Sequence, residues 1–261
     1  MHEVNSGANQ EPGVGEPRIA LVTGGSMGIG QGIAARLVRD HYDVVVVGRN
    51  GDRLASAARG LGPQAFAVQG DVGCVADVER IAAAVRKRYG RLDLLVNNAG
   101  IYEPAPLGAP LAELERAFDL IIDAGLKGAF LMAHVCASLL VSPGGRIVNI
   151  GSIVGKDGGS VPGYSAYACA KAGIHGLTMA LARDFAGRRI TVNTVAPGFV
   201  EETGQTLAFD AERVATIAAA IPLGRPATVE DVAGAVAWLA SQDASYATGT
   251  TVALTGGWRI H

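Results

Sequence analysis

Apolar residues along this chain fall into short runs separated by longer stretches with helical spacing. Asp43–Gly48 carries four consecutive valines, the pattern of a strand buried on both faces. Similar runs predict strands at Arg18–Val22, Ala65–Gln69, Leu92–Val96, Arg146–Ile150, Ile190–Val195 and Thr251–Leu254. Between them, spacing near 3.6 residues predicts helices over Ile29–Asp40, Asp52–Arg59, Val75–Tyr89, Leu111–Leu140, Tyr164–Phe185, Thr206–Ala220 and Thr228–Ala240. Strands alternating with helices require right-handed crossovers, which predicts an α/β fold with one doubly wound parallel sheet. No linker or change of composition divides residues 17–261, so they read as a single domain. Residues 1–16 are rich in Gly, Asn, Glu and Pro and read as a disordered leader without the apolar stretch of a signal peptide.

Composition narrows the core and the partners. Hydrophobic residues make up 49% of the chain but aromatics only 5%, so the core is expected to be aliphatic. The net charge of −2 leaves no basic footprint for nucleic acid. No run of 18 apolar residues is free of charge or glycine, so no membrane span is expected. Cys74, Cys136 and Cys169 have no metal-ligand spacing and read as reduced thiols of a cytoplasmic protein. His134 and His175 have no partners at metal spacing either, and no metal site is expected.

Candidate chemistry begins at Thr23–Gly30, TGGSMGIG, between the first strand and the first helix. Gly24, Gly28 and Gly30 are spaced to let the backbone turn sharply and approach a pyrophosphate at a helix N-terminus. Gln31 and Gly32 stand where a P-loop needs Lys and Ser/Thr. After the second strand, where an acidic residue would favour NAD, the chain has Gly48-Arg49-Asn50. Arg49 suits a 2′-phosphate through charge-assisted hydrogen bonds. NADP(H) is therefore favoured, with NAD(H) left open, and Asp52 is expected in the first turn of the next helix.

The second constellation is YACAK, Tyr167–Lys171. A tyrosine and a lysine four apart share one helical face. An ammonium there stabilises phenolate and draws a weak acid, pKa about 10, toward a working range. That suits a proton donor to a carbonyl or a base toward an alcohol. Tyr164 meets Ala168 at the same spacing, so it reads instead as loop packing or a pocket wall.

Together these segments resemble the short-chain dehydrogenase/reductase family, over nearly everything from Arg18 to Gly257. The matching segments are Thr23–Gly30 (TGxxxGxG), Asn97–Gly100 (NNAG), Ser152 with Tyr167-xxx-Lys171, Pro197-Gly198, Gly224-Arg225 and the late TGG at Thr255–Gly257. The broad type most similar is the 3-oxoacyl-carrier-protein reductase. The resemblance implies a single-domain Rossmann fold with a seven-stranded sheet. It also implies an NAD(P)-dependent oxidoreductase interconverting a ketone or aldehyde and an alcohol. Tyr167 would be the acid/base, Lys171 would tune it and bind the nicotinamide ribose, and Ser152 would hold the substrate oxygen. Gly24, Gly28, Ile29 and Gly30 would surround the pyrophosphate, with Ser26 and Met27 of the same turn and Asn50 beside Arg49 as further contacts. Asp71 would read the adenine amino group with Val72 packed nearby. Asn97, Ala99 and Gly100 would line the ribose. Pro197, Gly198 and Val200 would lie near the carboxamide, with Thr203 a less secure contact. Asn98 is read equally as an Asx turn.

One departure stands out. The family has an asparagine in the long helix that holds a relay water at a kink; here Gly125 occupies that position, in Ala124–Phe130. Glycine accommodates a kink, and a second water can replace the amide. An alternative reading follows, a cofactor-binding regulator or scaffold with weakened catalysis. Glu201, Glu202 and the helix to Ala220 are expected to form a substrate lid. The resemblance further implies a homotetramer, consistent with the apolar density of Phe130, Leu131, Met132 and Val135.

Overall fold

The structure is a computed structural model, and it describes residues 17–159, 162–201, 203, 204, 206 and 209–259. The leader predicted at 1–16 lies outside the described residues. In chain order the elements begin β1 (Arg18–Thr23), α1 (Gly28–Arg39), β2 (Tyr42–Gly48), α2 (Gly51–Leu61), β3 (Ala65–Gln69), α3 (Val75–Tyr89) and β4 (Leu94–Asn97). They continue with α4 (Leu111–Ile122), α5 (Gly128–Val135), β5 (Arg146–Ile150), α6 (Val154–Asp157), α7 (Ser165–Ala186), β6 (Thr191–Pro197), α8 (Ala211–Ala220), α9 (Val229–Ala240) and β7 (Thr251–Leu254).

All seven strands pair in parallel in the order β3-β2-β1-β4-β5-β6-β7. Strand order reverses between β1 and β4, and such a switch opens a crevice at the carboxyl ends of the strands. The two-residue alternation of strand side chains sorts the core into two layers. Ile19, Leu21, Val45 and Val47 face one layer, with Ile81 of α3, Met132 of α5 and Leu181 of α7. Ala20, Val22, Val44 and Val46 face the other, with Ile33 and Leu37 of α1 and Val232 and Val236 of α9. Each fully buried Leu, Ile or Val contributes about 1.5–3 kcal/mol relative to exposure, so the four-valine strand is held from both sides.

Several predicted boundaries move, for identifiable reasons. The fourth strand covers Leu94–Asn97, because Leu92 turns aside to bridge Leu140. The single helix expected over Leu111–Leu140 is broken into α4, a π-helical turn at Asp123–Lys127, and α5, which ends at Val135. Gly125 sits inside that turn, buried, and the amide of Gly128 reaches back five residues to the Asp123 carbonyl. The helix expected from Thr206 starts only at Ala211, where Asp210 caps it by accepting from the Arg213 amide. The short helix α6 lies in the connection between β5 and α7. Among the described residues no helix is long and apolar enough to cross a membrane.

Candidate active site

The glycine turn owes its shape to contacts that admit no side chain. Gly24 and Gly28 have φ of +64° and +50°, a region open to glycine at no steric cost. A Cβ on Gly30 would lie 2.2 Å from the Gly24 carbonyl oxygen and 2.4 Å from Asn98 Nδ2. Helix α1 begins with no side-chain cap at Met27 and no acidic residue in its first turn. Helices α2, α8 and α9 are each capped by a side chain. The first amides of α1 thus remain available to an external anion.

Thr23 and Asn98 clasp this turn to the end of β4. Thr23 Oγ1 accepts from the amides of Asn98 and Ala99, both at 3.0 Å, while Asn98 Nδ2 donates to the carbonyls of Thr23 (2.9 Å) and Gly24 (3.2 Å). The side chain of Asn98 therefore fixes the glycine turn rather than closing a local Asx turn. Asn97 points elsewhere: buried, it donates to Asn149 Oδ1 at 2.9 Å and to the Ala129 carbonyl at 3.4 Å. That chain runs on through Thr178 to Thr194, tying β4, β5, α7 and β6 together. The Asn97 amide nitrogen is thereby occupied within the core, while its Oδ1 is buried with no hydrogen-bond partner among the described residues. Gly100 comes close to Lys171, where a Cβ would lie 3.6 Å from the lysine Nζ.

At the outer end of the crevice, Arg49 is exposed and its guanidinium lies 4.0 Å from Asp71. Asp52 stands in the first turn of α2 and Asn50 caps it, accepting from the Arg53 amide at 2.9 Å. Arg53, unmarked in the sequence reading, places Nη1 3.1 Å from the sulfur of Met27. Asp71 accepts from the Gly73 amide at 2.9 Å, and Val72 is buried beside it. Ser26 lies near Gly48, where a Cβ would be 3.4 Å from its hydroxyl. Ile29 packs against the second core layer.

Helix α7 brings the second constellation to the same crevice. Tyr167 is buried in a small cluster with Ile121, Ala166 and Ala170. Lys171 Nζ donates to the Ile150 carbonyl at 2.8 Å and lies 5.6 Å from the centre of the Tyr167 ring. One ammonium proton is so engaged, and two further donors remain by valence. Burial lowers the Lys171 pKa from 10.5 to about 8, because an ammonium loses hydration there. Ser152, buried at the end of β5, accepts from the Val154 amide at 3.2 Å, which leaves its hydroxyl proton to donate. The Pro197 carbonyl anchors this loop by accepting from the Ile153 amide at 3.0 Å. His175, one turn beyond Lys171, contacts Thr251 Oγ1 at 3.1 Å, and burial holds its pKa below the ordinary imidazole range.

After β6, Gly198 donates to the Leu254 carbonyl and Val200 bridges Ala227. Buried Thr203 packs back over the glycine turn; a Cβ on Gly28 would lie 3.7 Å from its Cα. Tyr102, overlooked in the sequence, packs beside Tyr167 together with Tyr164. Tyr102 stacks on Tyr164 at 4.7 Å and meets Tyr167 edge-on at 5.7 Å. Tyr102 directly follows the NNAG segment and Ile101, which could have marked it. A cavity of about 700 Å³ lies outside this crevice. It is lined by Leu107, Leu111, Phe118 and the Ser165–Cys169 side of α7, one face round from Lys171. Cys136 is buried, with its thiol pushed up to about 12 by burial, and has no nucleophilic role. Of the lid residues, Glu202 lies outside the described residues.

Comparison with known proteins follows the same outline. A family profile described as enoyl-(acyl carrier protein) reductase matches residues 24–259. The 3-oxoacyl-(acyl-carrier-protein) reductase of Salmonella typhimurium is 38% identical over 243 residues, 93% of this chain and 97% of that protein. Its counterpart in Staphylococcus aureus is 39% identical, covering 91% and 96%. Among solved structures, a blue fluorescent protein from a metagenomic library in complex with NADPH superposes with a TM-score of 0.84 at 33% identity, covering 93% of this chain and 98% of that one. A glucose/ribitol-type short-chain dehydrogenase/reductase from Brucella melitensis gives 0.86 at 28% identity, covering 94% and 97%.

Proposed function

Because the chain belongs to the short-chain dehydrogenase/reductase family, we propose that it is an NADPH-dependent oxidoreductase that reduces a ketone to a secondary alcohol. The observation that supports it is Lys171, beside Tyr167 on α7, reaching the Ile150 carbonyl two residues before Ser152 and lying near Gly100, next to an uncapped glycine turn. A reduced nicotinamide bound in the crevice would supply the hydride. Tyr167 gives its hydroxyl proton to the oxygen of the carbonyl as the alcohol forms. Ser152 donates a hydrogen bond to that oxygen and fixes its position. Lys171 keeps two donors for the ribose and for water, and its positive charge favours the phenolate that Tyr167 leaves behind.

Fit to the cofactor rests on residues of this chain. Gly24 and Gly30 leave no room for a Cβ, and the first amides of α1 stand ready for a pyrophosphate. Arg49, joined by Arg53 above Met27, offers guanidinium groups to a 2′-phosphate, with no acid at the end of β2 to receive an unmodified ribose. Asp71, Val72, Asn50 and Ser26 complete the adenosine end. Val200, Gly198 and Pro197 offer backbone to the carboxamide.

A decayed, scaffold-like role rests on Gly125 alone. The π-helical turn persists around that glycine, and Lys171 keeps its place 5.6 Å from the Tyr167 ring. A panel of ketones assayed by nicotinamide absorbance tests the reading. Turnover is expected, with Tyr167→Phe reducing it about 10³-fold while cofactor affinity survives. Tight cofactor binding without turnover across the panel would sink it. The same reading includes a cytoplasmic homotetramer, for which Leu111, Phe118, Phe130 and Met179 supply exposed apolar surface on α4, α5 and α7. A monomer by light scattering at micromolar concentration would remove that part.

A further inference from the structure

The approach to Tyr167 is walled by aromatic rings in a chain that has few of them. Six tyrosines and six phenylalanines occur in 261 residues, yet three of the former cluster around Tyr167 and two of the latter stack beside Arg213, whose charge reaches that cluster. The stacked pair Tyr102–Tyr164 meets Tyr167, which it approaches at 5.7 and 6.1 Å. A second pair, Phe199 and Phe209, stacks at 5.7 Å with an interplanar angle of 22°. The guanidinium of Arg213, on α8, lies 3.7 Å above the Phe209 ring.

The two pairs are linked electrostatically. Both Tyr102 and Tyr164 feel the Arg213 charge, which opposes the effect of burial on their hydroxyls. Arg213 is exposed and takes part in none of the ion pairs among the described residues. The nearby acid Glu201 couples instead to Arg225, which is paired with Asp231 at 2.7 Å. Among the described residues this cation, stacked on one ring and coupled to two phenols, has no acidic partner. Flat rings favour a flat partner through stacking, and a planar guanidinium favours a carboxylate.

We propose that the substrate is an aromatic ketone carrying an anionic group, its ring held between the Tyr102–Tyr164 and Phe199–Phe209 pairs and its charge received by Arg213. This rests on the oxidoreductase reading above and names the substrate class of the same site. The reaction balances as a two-electron reduction: the carbonyl carbon gains hydride from NADPH, the oxygen gains the Tyr167 proton, and NADP⁺ is released. Arg213 is a specificity-determining residue here and takes no part in the proton transfer.

The test compares acetylbenzoate isomers with the matching acetylbenzamides and with an aliphatic 3-oxoacyl thioester of N-acetylcysteamine. At least one acetylbenzoate is expected to exceed its amide in kcat/KM by about tenfold, the size of one charge-assisted contact. Arg213→Gln should bring that ratio close to one, and Tyr164→Leu should lower both aryl substrates relative to the thioester. Binding of the acetylbenzoates to the NADP⁺-loaded protein is measured alongside, by ligand-observed NMR. Preference for the aliphatic thioester over every aryl ketone, or an acid-to-amide ratio indifferent to Arg213→Gln, overturns the substrate class while leaving the oxidoreductase intact. Arg213-dependent binding without any turnover does the reverse. Absence of both binding and turnover overturns the substrate class as well.

Discussion

The glycine turn and the aromatic rim flank the same crevice but are built on opposite principles. The turn is backbone held in one conformation by contacts too close for a side chain, with Thr23 and Asn98 locking it to β4. The rim is side chains on connecting segments, Tyr102 and Tyr164 beside α7 and Phe199, Phe209 and Arg213 after β6. A turn of the first kind can recognise only what every substrate reaction shares. A rim of the second kind can be rebuilt residue by residue without disturbing the sheet, which is how one fold serves many substrates.

The sharpest way to break this contrast is Gly30→Ala. Its methyl would sit 2.2 Å from the Gly24 carbonyl oxygen, and both the carbonyl and Asn98 are tied down. Overpacking against fixed backbone costs about 1–3 kcal/mol, and the turn must open. Cofactor affinity, followed by fluorescence titration, is expected to fall by about a hundredfold, with a lower urea midpoint. At the rim, Tyr164→Leu should leave cofactor affinity within about twofold, since lost surface packing acts locally. Equal effects of the two changes on cofactor affinity would erase the distinction.

A middle case lies at the adenosine end, where the turn meets side chains. Arg49 and Arg53 come from the end of β2 and the first turn of α2, and Arg53 reaches Met27 inside the turn. Each of Arg49→Ala and Arg53→Ala should lower the preference for NADPH over NADH by about tenfold, the loss of one charge-assisted contact. Affinity for NADH should stay nearly unchanged, as isothermal titration of both cofactors would report. If only Arg49→Ala changes the ratio, the side-chain part of this end reduces to a single residue.

Legibility followed the same division. Spacing exposed the turn, the Tyr167–Lys171 pair and the seven strands, because each is governed by contacts within a few residues. Arg53 could have been found as the residue one helical turn after Arg49. Asn98 resisted, because its use depends on β1 and β4 being neighbours, 75 residues apart in sequence at Thr23. Phe209 and Arg213 resisted more completely. The sequence marks them only as part of a helix at the substrate lid, and only the folded chain sets Arg213 on the Phe209 ring and couples it to Tyr102. The break in the long helix was hidden because a π-helical turn preserves apolar spacing on both sides while inserting one residue.

Lys171 gives a pH-dependent test of how far the buried side of the crevice differs from the rim. Its pKa is lowered by burial to about 8, so the ammonium is held below that pH and lost as pH rises through it. Ketone reduction, measured as kcat/KM, should therefore decline above about pH 8 rather than near 10.5. The stability effect has the opposite sign to that of a paired lysine. The unfolded lysine stays protonated to about 10.5, so the folded state carries the full burial penalty below pH 8 and is relieved between 8 and 10.5. This group should thus make the protein more resistant to urea at pH 9.5 than at 7.5, and Lys171→Met should remove that part of the difference. An unchanged difference in the variant would assign it to other groups.

The smallest expected effect belongs to Gly125→Asn, which asks whether the buried side tolerates the side-chain freedom of the rim. An ideal Cβ there would lie 3.9 Å from the Ala170 methyl, ordinary contact distance, so an asparagine enters without displacing α7. The turn around Gly125 is already π-helical, which means the amide is not required to create the bulge. Two effects remain for the substitution. Replacing a helical glycine reduces the entropy of the unfolded chain and should stabilise the protein by about 0.5 kcal/mol. An added amide beside Ala170 and Lys171 can also hold a water in place of one recruited from solvent, whose ordering costs at most about 2 kcal/mol. Turnover should rise by about two- to fivefold, with KM for ketone unchanged and the alkaline limit still near pH 8. A rise beyond about a hundredfold would mean that Gly125 had removed most of the catalytic power. In that case the scaffold-like reading would describe the natural chain better than the reductase one. A turnover that stays level while stability rises would show that Lys171 needs only the Ile150 carbonyl and water already at hand.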